Sequence, residues 1–137
     1  MDKSPNICFV SIGANGSAIA ADMIAAGIEM SCFDPWPSHV EAIQKEGLLI
    51  KLPDEHKIQS IPIYHLCQLA ESSHPFDIIF MASKSYDTKW IVELIKPHLA
   101  VDGILVSLQN GMTTNDIAQI ITEERVLSCV VELSCEL

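Results

Sequence analysis

Basic residues are scarce. Lys and Arg number 8 against 18 Asp and Glu in 137 residues, a formal net charge of −10. Such a surface exerts no long-range pull on nucleic acid or an anionic membrane, although a local cradle of backbone donors still holds a phosphate. No uncharged apolar run approaches the ~20 residues of a membrane-spanning helix, and Met1 to Pro5 has the shape of neither a signal nor a transit peptide. The compartment this implies is the cytoplasm. Cys8, Cys32, Cys67, Cys129 and Cys135 form no C-x-x-C, and Cys8, Cys32 and Cys129 fall inside apolar runs, the pattern of buried free thiols in a reducing compartment. His39, His56, His65, His74 and His98 lack metal-ligand spacing and read as surface or packing histidines, so no metal site is expected. G-x-S-x-G, H-E-x-x-H and the lysine-serine pair of a P-loop are missing too, which removes the motif-based hydrolase and nucleotidase readings.

What the chain does contain is apolar residues, 49% of the total, enough to fill the core of one domain. The most informative stretch comes first. Ile7, Phe9 and Val10 read as a strand, Gly13 and Gly16 loosen the backbone, and Ile19, Met23 and Ile24 recur with helical spacing. A helix beginning among small residues offers unpaired N–H groups and the positive end of its dipole to a pyrophosphate. The dinucleotide fingerprint G-x-G-x-x-G fits in two registers, GANGSA from Gly13 or SIGANG from Ser11. The second is preferred, because the turn then follows Val10 directly and Gly16 falls where helix and strand pack closely. It makes Ser11, Gly13, Ala14, Asn15 and Gly16 the candidate pyrophosphate turn, with Ser11 a departure from the usual glycine. By itself the motif fits an ordinary strand-to-helix turn equally well.

Further along, strand and helix alternate. Ile28 to Phe33 reads as a second strand ending at Asp34, placed to accept hydrogen bonds from an adenine-side ribose. Trp36 is either a lip beside an adenine ring or a cover for the sheet edge. Ser38 is the expected cap of a helix over residues 39–46, and Ile58 to Ile63 reads as a third sheet strand. Leu66 to Glu71 reads as a short helix and Phe76 to Met81 as a strand buried on both faces. Lys84 follows that strand, with Ser85 or Asp87 as helix cap, and is a candidate for a phosphate or carboxylate; a solvated lysine is the plainer alternative. Ile104 to Leu108 is a strand leading to Asn110, which suits a substrate oxygen or simply an Asn-Gly turn. Thr114 reads as the cap of the next helix and Arg125 to Leu133 as the last strand. The series describes one doubly wound α/β domain over residues 1–137, ligands being expected at the strands' carboxyl ends.

Four ordered segments, VSIGANGS, HVEAIQKEGL, KSYDT and SLQNGM with ERVL after it, resemble the amino-terminal domain of the ketopantoate reductase (2-dehydropantoate 2-reductase) family over nearly the whole chain. The resemblance implies a mostly parallel sheet of the Rossmann type and NAD(P)H-dependent reduction of a small 2-oxo acid to the 2-hydroxy acid. It implies that Gly13 and Gly16 serve the pyrophosphate, that Lys84 lies near cofactor and substrate, and that Asn110 lies by the nicotinamide and substrate. The family's principal catalytic lysine belongs to a helical second domain that these 137 residues do not include. Asp34 stands where many NADPH-using members have a basic or neutral residue; a carboxylate repels a 2′-phosphate, so NAD(H) is expected ahead of NADP(H). A bare domain of this kind has apolar surface that makes a homo-oligomer feasible. A non-catalytic dinucleotide-binding or regulatory module is the competing reading.

Overall fold

A computed structural model describes residues 4–137. Its first half runs β1 (Ile7–Val10), α1 (Ala14–Ala25), β2 (Ser31–Asp34), α2 (Pro37–Glu46), β3 (Leu48–Lys51), β4 (His56–Gln59) and β5 (Ile63–His65). The second half runs β6 (Phe76–Met81), α3 (Thr88–Ile95), β7 (Leu99–Leu108), α4 (Thr114–Ile121) and β8 (Val126–Cys129), and a 3-10 turn at Leu66–Glu71 joins the halves. Among the described residues, six strands form a wholly parallel sheet in the order β5-β2-β1-β6-β7-β8, while β3 and β4 form an antiparallel hairpin of their own. The order reverses between β1 and β6, and at such a reversal the two adjoining loops diverge and leave a crevice.

The strands carry apolar residues on both faces because helices cover both. Cys8 and Val10 of β1 pack with Ile91, Val92 and Ile95 of α3 and with Ile117 and Ile121 of α4. Phe9 points the other way, into a core with Ala20 and Ala21 of α1 and Val40 and Ile43 of α2. Phe9 also stacks on Phe80, its register partner on β6, with ring centroids 5.7 Å apart.

Several elements differ from the sequence-based expectation, each for a local reason. Ile28 is not in β2; its N–H closes the end of α1 on Met23 O, and Gly27 beside it has φ +89°. The helix α2 starts at Pro37 with Trp36 at its N-cap and no side-chain cap, so Ser38 does not fill that role. Ile58 to Ile63 is not one strand: His56–Gln59 pairs only with β3 and leaves Ile58 exposed. Pairing with β2 begins at Pro62, whose carbonyl accepts Cys32 N–H at 2.8 Å. The last strand stops at Cys129, because beyond it the main chain bonds to side chains, including Asn110. Of the cysteines, Cys8 and Cys32 are buried, Cys129 and Cys135 are partly covered and Cys67 is exposed; all five are free. Burial pushes the Cys32 thiol up to about 12, so it stays protonated and unreactive.

Candidate functional site

Because the main sheet is wholly parallel, the loops leaving β1, β2, β6 and β7 lie along one edge. The structure therefore brings Ser11, Asp34, Lys84 and Asn110 to the same rim, with α1 opening beside the crevice between β1 and β6. Ser11 is left-handed at φ +59° and its N–H bonds to Phe33 O at 2.8 Å. Such a backbone costs a non-glycine residue about 1–2 kcal/mol. Its neighbours Val10 and Ile12 are completely buried, each worth about 1.5–3 kcal/mol, so packing on either side outweighs the strain.

The two glycines of the turn have different surroundings. A Cβ on Gly16 would sit 3.1 Å from Ser11 O and 3.2 Å from Ala82 Cβ, so a side chain there would crowd both, and glycine lets α1 settle closely against β1 and the end of β6. A Cβ on Gly13 would meet nothing within 4 Å. Gly13 is the N-cap of α1 without any side-chain cap, and the first turn holds no acidic residue. The amides of Ala14 and Asn15 begin the helix there, beside that open space, in an arrangement suited to an anion. Ser17 closes the other side, its hydroxyl donating to Ile12 O.

Asp34 is buried at the end of β2, and one carboxylate oxygen accepts Trp36 N–H at 2.9 Å. Desolvation raises its pKa above the usual carboxylate value, opposed by the Trp36 hydrogen bond, the charge of His39 and the Ile12 amide. His39 in turn stacks on the half-exposed Trp36 ring at 5.8 Å and reaches Ser17 Oγ at 3.3 Å. His39, read from sequence as a surface or packing histidine, thus links Asp34 to the first turns of α1 and α2.

Lys84 is exposed in the loop after β6, just before the helix. Asp87 occupies the N-cap position of α3 but makes no side-chain cap; its carboxylate accepts Trp90 Nε1–H at 2.7 Å. Beneath this loop lies Gln109, which sequence reasoning passed over as the neighbour of Asn110. Its buried amide Nε2 donates to Ser83 O at 2.8 Å and reaches Ser83 Oγ and Thr88 Oγ1, both at 2.9 Å. Its Oε1 accepts from Ser107 Oγ and Thr113 Oγ1, both at 3.0 Å. That bond places Thr113, not Thr114, at the N-cap of α4 while its hydroxyl serves Gln109. The available signal was a polar residue at the end of an apolar strand, between two loops rich in Ser and Thr.

Asn110 is exposed, and its amide makes a reciprocal pair with the main chain of Val131: Nδ2 donates to the carbonyl at 2.8 Å and Oδ1 accepts the N–H at 2.9 Å. Further along the same segment, Cys135 N–H donates to Asn15 Oδ1 at 3.1 Å. The stretch after β8 is thereby tied to the β7 loop at one point and to the start of α1 at another. Two hollows, of about 380 and 350 Å³, lie at the opposite edge, near Gly27 and Met30 and near Asn6 and Phe76 respectively. Among the described residues, no group of three or more His, Cys, Asp or Glu could hold a metal ion, and no helix is long and apolar enough to cross a membrane.

A family model described as ketopantoate reductase PanE/ApbA matches residues 7–137. A 2-dehydropantoate 2-reductase of Lactococcus lactis subsp. lactis (strain IL1403) is 26% identical over 110 residues, which cover 80% of this chain and 35% of that protein. The PanE/ApbA family ketopantoate reductase of Ralstonia eutropha JMP134 superposes with a TM-score of 0.83 at 25% identity, covering 96% of this chain and 43% of that one. A D-mandelate dehydrogenase solved with NADH and anilino(oxo)acetate shares the fold at a TM-score of 0.79 and 21% identity, covering 90% of this chain and 39% of that one. The chain thus spans well under half the length of each of these relatives.

Proposed function

The chain belongs to the ketopantoate reductase family, and on that premise we propose that it is the cofactor-binding domain of an NAD(P)H-dependent reductase acting on a small 2-oxo acid such as 2-dehydropantoate. The observation that carries this reading is the start of α1: an uncapped N-terminus of a 12-residue helix with open space at Gly13, beside the crevice where the strand order reverses. Ser11, Gly13, Ala14, Asn15 and Gly16 form the pyrophosphate turn in this proposal. Gly13 admits the phosphates to the backbone, and Gly16 fixes the helix that presents its amides to them.

The nicotinamide of a bound cofactor would supply the hydride. The chain's own residues bind and orient. Asp34 faces the adenine-side ribose, where a carboxylate accepts hydroxyl hydrogens and repels a 2′-phosphate, so NADH is preferred to NADPH. Lys84 stands on the substrate side as a donor to a carboxylate or phosphate. Asn110 spends one N–H and one lone pair on Val131, and its second amide hydrogen remains for a substrate oxygen.

Calorimetric titration with NADH and NADPH tests both levels of the proposal. Binding of NADH more tightly than NADPH is expected. Tighter NADPH binding would remove the role given to Asp34, and failure to bind either would overturn the cofactor reading.

A further inference from the structure

Resting on the cofactor reading above, we propose that Gln109 is a positioning residue that sets where Lys84 stands in the cleft. Both peptide planes that flank the Lys84 Cα carry a carbonyl reached by the same side chain. Gln109 Nε2 donates to Ser83 O at 2.8 Å, in the plane that contains Lys84 N, and approaches Lys84 O at 3.4 Å, in the plane that follows. A peptide plane is rigid, so holding the two planes holds φ and ψ between them, −64° and 150°, and with these the direction in which the Lys84 Cα–Cβ bond leaves the main chain, the root from which the side chain extends.

The amide cannot turn over without loss. Carbonyl oxygens only accept, so the nitrogen has to face Ser83 and Lys84; the hydroxyls of Ser107 and Thr113 then donate to Oε1 at 3.0 Å. Thr88 Oγ1, in the first turn of α3, closes the network. One buried side chain thereby joins β7, the loop after β6 and the starts of α3 and α4. A residue needed only for packing at this strand end would be apolar, because a buried amide lowers the free energy only when each of its groups is paired. Here the partners of the nitrogen include the main-chain carbonyls on either side of the lysine Cα.

A double-mutant cycle separates positioning from bulk stability. Wild type, Lys84→Ala, Gln109→Leu and the double variant are titrated with NADH and, once saturated with it, with 2-dehydropantoate; thermal melts are recorded alongside. Lys84→Ala and Gln109→Leu are each expected to weaken binding of the same ligand about tenfold, and the double variant to bind no more weakly than Lys84→Ala alone. In the melts, by contrast, the loss caused by Gln109→Leu persists undiminished in the Lys84→Ala background. Should Gln109→Leu not fold, Ser107→Ala removes a single donor to Oε1 and is expected to weaken binding about two- to threefold, with the same dependence on Lys84. Independent, multiplying losses overturn the proposal, as does a folded Gln109→Leu or Ser107→Ala that binds both ligands like wild type. A wild-type chain that binds no dinucleotide sinks the cofactor reading itself and this inference with it; a binding wild type with insensitive variants sinks this inference alone.

Discussion

Ser11 holds a left-handed backbone at φ +59°, and its buried hydroxyl has no hydrogen-bond partner among the described residues. Glycine at this position would relieve both costs, so Ser11→Gly is expected to stabilise the fold by about 1–2 kcal/mol, read as a higher melting temperature. The other two positions of the turn should separate stability from binding. Gly13→Ala places a methyl group in open space and is expected to leave the melt unchanged while weakening NADH binding. Gly16→Val drives atoms into Ser11 O and Ala82 and is expected to cost about 1–3 kcal/mol whether or not NADH is present. Asp34 adds a pH dependence. Burial raises its pKa in the fold, so the folded chain binds this proton more tightly than the unfolded one. Its contribution to stability is therefore fully present below the unfolded-state value and is lost as pH rises through the folded value. Melts from about pH 4 to about pH 8 should show wild type losing ground to Asp34→Asn as the pH rises; a constant difference would mean that Asp34 is not the group responsible. These positions were legible in the sequence because glycine spacing and strand ends are local signals. Gln109 was not, since Ser83 and Thr88, which its nitrogen meets, lie 21 to 26 residues earlier on the loop after β6 and in α3 and only folding brings them under one amide.

The strand β7 shows what separates a legible element from an illegible one. Its second half, Ile104 to Leu108, is an apolar run that reads as a buried strand from composition alone. Its first half carries Asp102 and Gly103 and does not, yet it belongs to the sheet. Phe76 pairs with Leu99 and Ile78 with Ile104, so β7 bulges between those pairs. The bulge is held from outside: Arg125 Nε donates to Gly103 O at 3.0 Å and its Nη2 donates to Ala100 O. A Cβ on Gly103 would lie 2.9 Å from Phe76 O, a backbone atom with little freedom to move. Gly103→Ala is accordingly expected to lower stability by about 1–3 kcal/mol in urea unfolding, and an unchanged midpoint would show that the bulge yields easily. The same distinction explains the other differences. Ile58 looks like core by residue type, but the hairpin β3–β4 lies outside the main sheet and leaves it exposed. Val130 and Val131 look like strand, yet the donor and acceptor that Val131 would offer a neighbour are taken by Asn110.

At the scale of the whole molecule, the proposed cofactor cleft offers groups that suit holding a dinucleotide more than groups that suit completing a reduction. The hydride acceptor's oxygen needs a proton, and a donor is effective where water is excluded. Lys84 and Tyr86, the ionisable donors of the loop after β6, are both exposed, Tyr86 by 81%. Asp87 is engaged by the Trp90 indole, and His39 lies by Asp34 at the end of β2. His74 and His98 precede β6 and β7 at the amino edge, and His56 belongs to the separate hairpin. The matching parts of the relatives amount to 35% of the curated reductase and 43% of the Ralstonia eutropha chain, so a longer reductase has more than half its residues available to close such a site and supply the donor. The 137 residues assayed alone are therefore expected to bind NADH but to oxidise it with 2-dehydropantoate at least about 100-fold more slowly than the Lactococcus lactis reductase measured side by side. Turnover within tenfold of that enzyme would move the proton donor into this chain, and abolition of that turnover at saturating NADH and 2-dehydropantoate in Lys84→Ala but not in Tyr86→Phe would identify it as the lysine.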